Sequence, residues 1–273
     1  IDMAIFRGKY NNCPVILGSA TPSLEAMARA RKGIFKLIEM PNRVGTAVLP
    51  HIEIVDMALE MKRRNTILSE SLQKEIRKNL ERGEQTILLL NRRGHSTIVT
   101  CQACGYVYKC PYCDISLTYH KTSNNLRCHY CGYTVLKDSI CPECHEDGLN
   151  YMGLGTEKLE QTLKEIYKDA RIVRMDVDTT SNKGAHEKII NDFKEHKYDI
   201  LLGTQMISKG LDFPLVTLVG VINADSSLNI PDFRSGERTF ELLSQVAGRA
   251  GRSNLAGRVI IQTYNPENFA IEC

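Results

Sequence analysis

"DILLGTQMISKGLDFPLVTLVGVINAD", residues 199–225, holds two short apolar runs, each ended by residues with turn chemistry. ILL stops at Gly203-Thr204, and VTLVGVI stops at Asn223. Short, β-branched-rich apolar runs with polar ends read as strands buried on both faces. "QTILLLN" (85–91), "RIVRMD" (171–176) and "RVIIQTY" (258–264) have the same character. Helical periodicity lies between them, at 69–82, 156–167, 185–195 and 233–249. In the first of these, Ser69 is placed to cap, and Leu72, Ile76 and Leu80 share a face. "CPVILG" (13–18), "FKLIEM" (35–40) and "HIEIVDM" (51–57) are also strand-like. "TPSLEAMARARKG" (21–33) reads as a helix with Pro22 in its first turn and Gly33 at its end. Alternating strands and helices predict an α/β fold, a parallel sheet covered on both faces.

Composition bounds the function classes. A 273-residue chain with 42% hydrophobic and 25% charged residues can build a large core. No apolar run is long enough to span a bilayer, so no membrane partner is expected. Asp2, Arg7 and Lys9 interrupt the start, and no signal-peptide core follows. The start at Ile1 and the stop at Cys273 suggest a piece of a longer protein. The formal charge of +3 says little about partners, because eight thiolates with two Zn²⁺ would bring it to about −1.

Between residues 101 and 144 the alternation breaks. Eight of the ten cysteines form four C-x-x-C pairs: Cys101/Cys104, Cys110/Cys113, Cys128/Cys131 and Cys141/Cys144. Such a turn offers two thiolates, and a structural zinc takes four in a tetrahedron. Eight ligands therefore make two closed sites, structural rather than catalytic, in a reducing cytosol. A nested pairing is favoured. It joins the first knuckle to the fourth and the second to the third, since fourteen residues between Cys113 and Cys128 is an ordinary ribbon spacing. A crossed pairing is the alternative. His120, His129 and His145 read as surface residues, Cys13 as a buried core thiol and Cys273 as a chain end. Six tyrosines crowd this segment: Tyr106, Tyr108, Tyr112, Tyr119, Tyr130 and Tyr133. They read either as the core of a small metal-held module or as stacking surfaces for unpaired bases, with Lys109, Lys121 and Arg127 near phosphates.

Three segments have the character of a nucleotide-driven machine. "GSATPS" (18–23) and Gly203-Thr204-Gln205 place small polar groups at strand ends, where open α/β sheets bind ligands. Lys209-Gly210-Leu211-Asp212 is a glycine-hinged turn in which Asp212 holds a ribose hydroxyl, orients an arginine or simply caps the turn. "QVAGRAGR" (245–252) carries Arg249 and Arg252 on one face if the helix continues, with Gln245 upstream. Arginine suits a developing phosphoryl charge because its planar fork stays protonated. Yet the chain has no G-x-x-x-x-G-K-[ST] phosphate loop; its one Gly-Lys step, Gly8-Lys9, precedes Tyr10.

The succession "GSATPS", "LLLNRRGHS", eight cysteines, "GTEKLEQ", "RMDVDTT", "ILLGTQMISKGLDFP", "GVINAD" and "QVAGRAGR" resembles the PriA family of bacterial primosomal helicases. The resemblance covers nearly the whole chain. It implies a superfamily 2, ATP- and Mg²⁺-dependent 3′–5′ DNA helicase that restarts stalled replication in the bacterial cytoplasm, at the nucleoid. The implied organisation is the end of a first RecA-like lobe at 1–40 and a second lobe at 41–100 and 149–273, with the zinc-binding insertion at 101–148. The family's zinc pairing is the nested one. Gln245, Arg249 and Arg252 would be catalytic, the arginines acting as fingers, with Gly210 and Asp212 beside the nucleotide. Ser19, Thr21, Arg93, Thr204 and Gln205 would meet the DNA backbone. Implied partners are forked and single-stranded DNA, primosome and helicase-loading proteins, and single-stranded DNA-binding protein. Because the phosphate loop and the Walker B acids are missing, this chain alone is expected not to hydrolyse ATP. Two other readings are a zinc-ribbon DNA- or protein-binding module on a RecA-like scaffold without motor activity, and a structural scaffold for protein assembly.

Overall fold

A computed structural model describes residues 1–40, 50–63, 67–90, 98–120, 123–151, 155–176, 179–180, 184–204, 213–250 and 257–272. The chain divides into two compact units, Ile1–Asn42 and Arg43–Cys273.

The second unit is built on six parallel strands. These are β1 (His51–Asp56), β2 (Gln85–Leu89), β8 (Ile172–Met175), β9 (Ile200–Gly203), β10 (Val216–Val221) and β11 (Arg258–Thr263). Their spatial order is β1-β11-β10-β2-β9-β8, and every neighbouring pair is parallel. The strands alternate between two cores, with one irregularity in β10 between Val216 and Leu218. Ile87, Leu89, Leu201, Val219, Val221, Val259 and Ile261 face one core, which α6 (Ala185–Lys194) and α8 (Ser235–Ala247) cover with Ile190, Phe193, Leu242, Leu243 and Val246. Leu88, Leu90, Ile200, Leu202, Leu218 and Ile260 face the other, covered by Leu72 and Ile76 of α4 (Glu70–Arg82) and Leu159 and Leu163 of α5 (Thr156–Ile166). A strand flanked by strands and covered on both faces has no solvent side, which is why these runs are continuously apolar.

Two buried amides staple the layers. Gln262, fully buried on β11, donates from Nε2 to Ile67 O and Ile222 O and accepts from Ser69 N. Ser69 in turn caps α4 by accepting from Leu72 N. At the opposite ends of the strands, Asn79 Nδ2 donates to Thr217 Oγ1 and Gln85 O, closing the end of α4 over the starts of β10 and β2.

The first unit departs from expectation. Among its described residues it has two helices, α1 (Asp2–Tyr10) and α2 (Leu24–Arg31), and no strand. Neither 13–18 nor 35–40 forms one: a strand requires a hydrogen-bonded neighbour, and none is present there. Ile16 is 92% exposed and Cys13 is exposed rather than buried. Pro22 precedes the cap instead of entering the first turn, because Ser23 supplies the cap by accepting from Ala26 N.

The helix expected at 233–249 is α8, which starts at Ser235 and ends at Ala247. Asp232 sets the start by accepting from Arg234 N, while Phe233 stays outside in solvent. Gly248 ends the helix, and Arg249 N then closes a tighter turn on Val246 O. Arg249 therefore lies beyond the helix, and the expected helical face shared with Arg252 does not reach it.

Gly220 leaves room for side chains of β2 and α4. A Cβ there would stand 2.8 Å from Leu88 Cδ2 and 2.9 Å from Leu72 Cδ1. Gly220→Val is expected to cost about 1–3 kcal/mol through overpacking. It should lower the denaturation midpoint, and an unchanged midpoint would contradict the packing described.

Candidate metal centres

The four C-x-x-C turns share one backbone. In each, the first cysteine's N–H donates to the carbonyl five residues on: Cys101 to Tyr106, Cys110 to Ile115, Cys128 to Tyr133 and Cys141 to Glu146. The residue after the second cysteine donates back to the first cysteine's carbonyl, and it has positive φ: Gly105, Asp114, Gly132 and His145. Glycine takes that conformation freely; Asp and His adopt it at some cost.

The knuckles meet in nested pairs. Cys101, Cys104, Cys141 and Cys144 form one cluster and Cys110, Cys113, Cys128 and Cys131 the other, with all ligand atoms of a cluster within 4.8 Å of one another. Sγ–Sγ distances are 3.6 Å (Cys101–Cys144), 3.7 Å (Cys104–Cys141) and 3.5 Å (Cys110–Cys131). A disulfide would need about 2.05 Å. A tetrahedron with Zn–S of about 2.3 Å has edges of about 3.8 Å. Both clusters fit structural zinc, closed by four thiolates each with no position for a substrate.

The acidities of the sulfurs point the same way. Burial, then the neighbouring thiols, push Cys113 up to about 12. Cys104 moves in the same direction, although the Tyr106 N–H partly opposes it. Cys128 is penalised by burial too, but the N–H groups of Cys131 and Tyr130 aim at it and bring it down to about 7. Without a cation each set of four sulfurs contains raised and lowered members. A divalent ion lets all four ionise together.

Short strands frame the clusters. β3 (Val99–Cys101) pairs antiparallel with β7 (Leu149–Tyr151), so the insertion leaves and rejoins the sheet domain through one stem. β4 (Thr118–His120), β5 (Asn125–Arg127) and β6 (Thr134–Leu136) form an antiparallel ribbon around the second cluster. The tyrosines divide by burial. Tyr108 and Tyr119 are buried, Tyr108 donating to Asp138 and Tyr119 to Asn124. Tyr112 and Tyr130 are exposed. His129 and His145 are exposed as expected, but His120 is half-buried with its ring 5.2 Å from that of His129.

The first knuckle is seated on the sheet domain. A Cβ at Gly105 would stand 2.4 Å from Tyr264 Cβ. Tyr264 follows β11, and its N–H donates to Asp225, whose other oxygen accepts from Asn265 Nδ2. Burial raises the Asp225 carboxyl above the usual carboxylate range against these hydrogen bonds. Sequence reading missed this Asp225–Tyr264–Gly105 contact. The glycine after Cys104 was its visible sign, but the partner is far away in the chain.

The other site residues are only partly described. Ser19 is exposed and accepts from Thr21 N at 3.1 Å, within the first unit. Thr204, half-buried, follows β9 in the second unit, and its N–H points at Met175 O. Gln245 is solvent-exposed on α8, and Arg249 is half-buried beyond it. Arg93, Gln205, Gly210, Asp212 and Arg252 lie outside the described residues, as does Lys121. Among the described residues no helix is long and apolar enough to cross a membrane.

Comparison with known proteins agrees with this architecture. Residues 110–135 match the model of the PriA DNA helicase Cys-rich region, and residues 150–254 match the helicase conserved C-terminal domain. The chain is 52% identical over 272 residues to the replication restart protein PriA of Bacillus subtilis, covering 99% of the chain and 34% of that protein. It is 46% identical to the Synechocystis protein of the same name over 97% of the chain and 33% of that protein. The Chlamydia trachomatis protein is also 46% identical, over 99% of the chain and 36% of that protein. The chain thus spans about a third of the length of these relatives. The fold is the parallel-sheet, RecA-like helicase α/β fold with two clusters of four cysteines each.

Metal analysis should find two zinc ions per chain, and none would refute the site. Tyr264→Ala is expected to keep both ions while speeding amide exchange at Cys101 and Gly105. Unchanged exchange would remove Tyr264 as the seat.

Proposed function

Because the chain belongs to the PriA family and spans about a third of the curated members it matches, we propose that it is the zinc-bearing helicase portion of an ATP-dependent replication-restart DNA helicase. The observation that carries this reading is the junction itself. A Cys-rich module grows from one stem, β3 and β7, inside a parallel-sheet domain whose later part matches a helicase C-terminal domain.

In this reading residues 1–40 close a first RecA-like lobe, 41–100 and 149–273 form the second, and 101–148 is the insertion. The longer protein binds ATP with Mg²⁺. Arg249 and Arg252 reach the transferred phosphoryl group as fingers and Gln245 helps position the attacking water, while Gly210 and Asp212 line the nucleotide. A guanidinium beside the developing charge lowers the barrier by electrostatic stabilisation. Ser19 and Thr21 of the first unit, and Arg93, Thr204 and Gln205 of the second, contact the DNA backbone, and ATP turnover drives the motor 3′ to 5′ along the strand. The zinc ions are structural and shape a module that faces forked DNA or a primosome, helicase-loading or single-strand-binding protein. The chain by itself lacks the phosphate loop and hydrolyses no ATP. The protein works in the bacterial cytoplasm, at the nucleoid.

The finger assignment is tested in the longer protein. Arg252→Ala should reduce DNA-stimulated ATPase by about 10³-fold or more, with DNA binding retained. Near-normal ATPase would sink it.

A further inference from the structure

The four knuckles have one frame and three kinds of side chain at its third position. Their third positions are Ala103, Tyr112, Tyr130 and Glu143. The same hydrogen bonds form around a methyl, two phenols and a carboxylate, so the side chain there does not hold the turn. The positions before the first cysteines are Thr100, Lys109, Arg127 and Ile140. Only the second and third knuckles therefore read basic-Cys-x-Tyr-Cys. Those two turns build one cluster, whose sulfurs lie within 4.8 Å of one another, so each tyrosine is next in sequence to a sulfur ligand of the same site.

Neither ring is buried. Tyr112 is 79% and Tyr130 59% exposed, although phenol rings are favoured inside so small a core. Tyr112 is braced edge-on by Tyr133 at 5.7 Å, which orients the ring and leaves it in solvent. Arg127 is exposed, and Lys109 meets Asp114 at 3.5 Å across exposed positions, a pair that a phosphate would displace at little cost.

Charge separates the two ends. Residues 106–137 hold Lys109, Lys121, Arg127 and Lys137 against Asp114. Residues 138–148 hold Asp138, Glu143, Glu146 and Asp147 with no Lys or Arg. The thiolate–zinc sets shift both ends equally, so the contrast remains. A polyanion is drawn to the Tyr112/Tyr130 end and repelled from the other.

We propose that Tyr112 and Tyr130 form a base-stacking site for unpaired nucleotides of single-stranded DNA, with Lys109 and Arg127 on the adjoining phosphates. Aromatic faces beside cations are how single strands are held without sequence preference, because each base has a π-face and each link a charge. A duplex hides those faces. The inference rests on the reading of the insertion as the DNA-facing part of the motor and names the group it grips.

The test uses the zinc-loaded 273-residue chain and a fluorescein-labelled thymidine oligonucleotide, followed by anisotropy without ATP. Y112A/Y130A should bind at least about tenfold more weakly, with two zinc ions and an unchanged melting temperature. Y112F/Y130F, which keeps the ring face, should bind like the parent. K109A/R127A should flatten the salt dependence by about 0.7 per phosphate lost. Should the alanine pair lose zinc, Y112L/Y130L keeps the bulk and must show the same weakening. Parent-like binding by the alanine or leucine pair overturns the proposal, as does absence of oligonucleotide binding by the parent. A docking surface for protein would give affinity indifferent to these rings, which is the same overturning result. Since no ATP is involved, failure here leaves the Arg252 test standing, and failure of that test leaves this one intact.

Discussion

A strand covered on both faces has no place for an unpaired backbone group or an uncompensated polar side chain. Most of the second unit follows from that constraint. β2, β9, β10 and β11 each send successive side chains into opposite cores, so each core needs its own pair of helices. Two amides that enter the interior are tied to the chain around them: Gln262 uses both its oxygen and its nitrogen on backbone groups, and Asn79 ties together three segments of chain. Thr204, Asp225 and Tyr264 lie beyond the ends of the strands.

The Cys-rich insertion solves the opposite problem. Too small to hold itself by burial, it replaces a core with two clusters of sulfur. Its own apolar cluster is short, with Val99, Leu117, Leu126 and two buried tyrosines at its centre. The frame of each knuckle is backbone geometry, so the residues between the cysteines are released from structural duty. Seating Gly105 against Tyr264 joins this metal-held body to the sheet domain, with Asp225 fixing the Tyr264 backbone from beneath.

Much of this was legible along the chain. The apolar runs named all six strands of the sheet, Ser69 named a cap, and the knuckle spacing favoured the nested pairing that the sulfurs adopt. The errors have physical causes. Residues 13–18 and 35–40 have strand composition but no partner strand among the described residues of their unit. The helix of Gln245 runs out at Ala247 because Gly248 ends it, so a periodicity argument extended through Arg249 overshot.

By itself the sequence determined the six strands of the sheet and the main helices between them, the two-sided burial of the strands and the metal chemistry of the cysteines. All of these depend on local pattern, since side-chain period and ligand spacing are properties of neighbouring residues. Only the tertiary structure decided which tyrosines are core and which stand in solvent, and that Gly105 rests on Tyr264. It also decided that β11 lies between β1 and β10 rather than at an edge. Those outcomes depend on contacts between residues far apart in the chain, and no local spacing records which distant surface will cover a given ring.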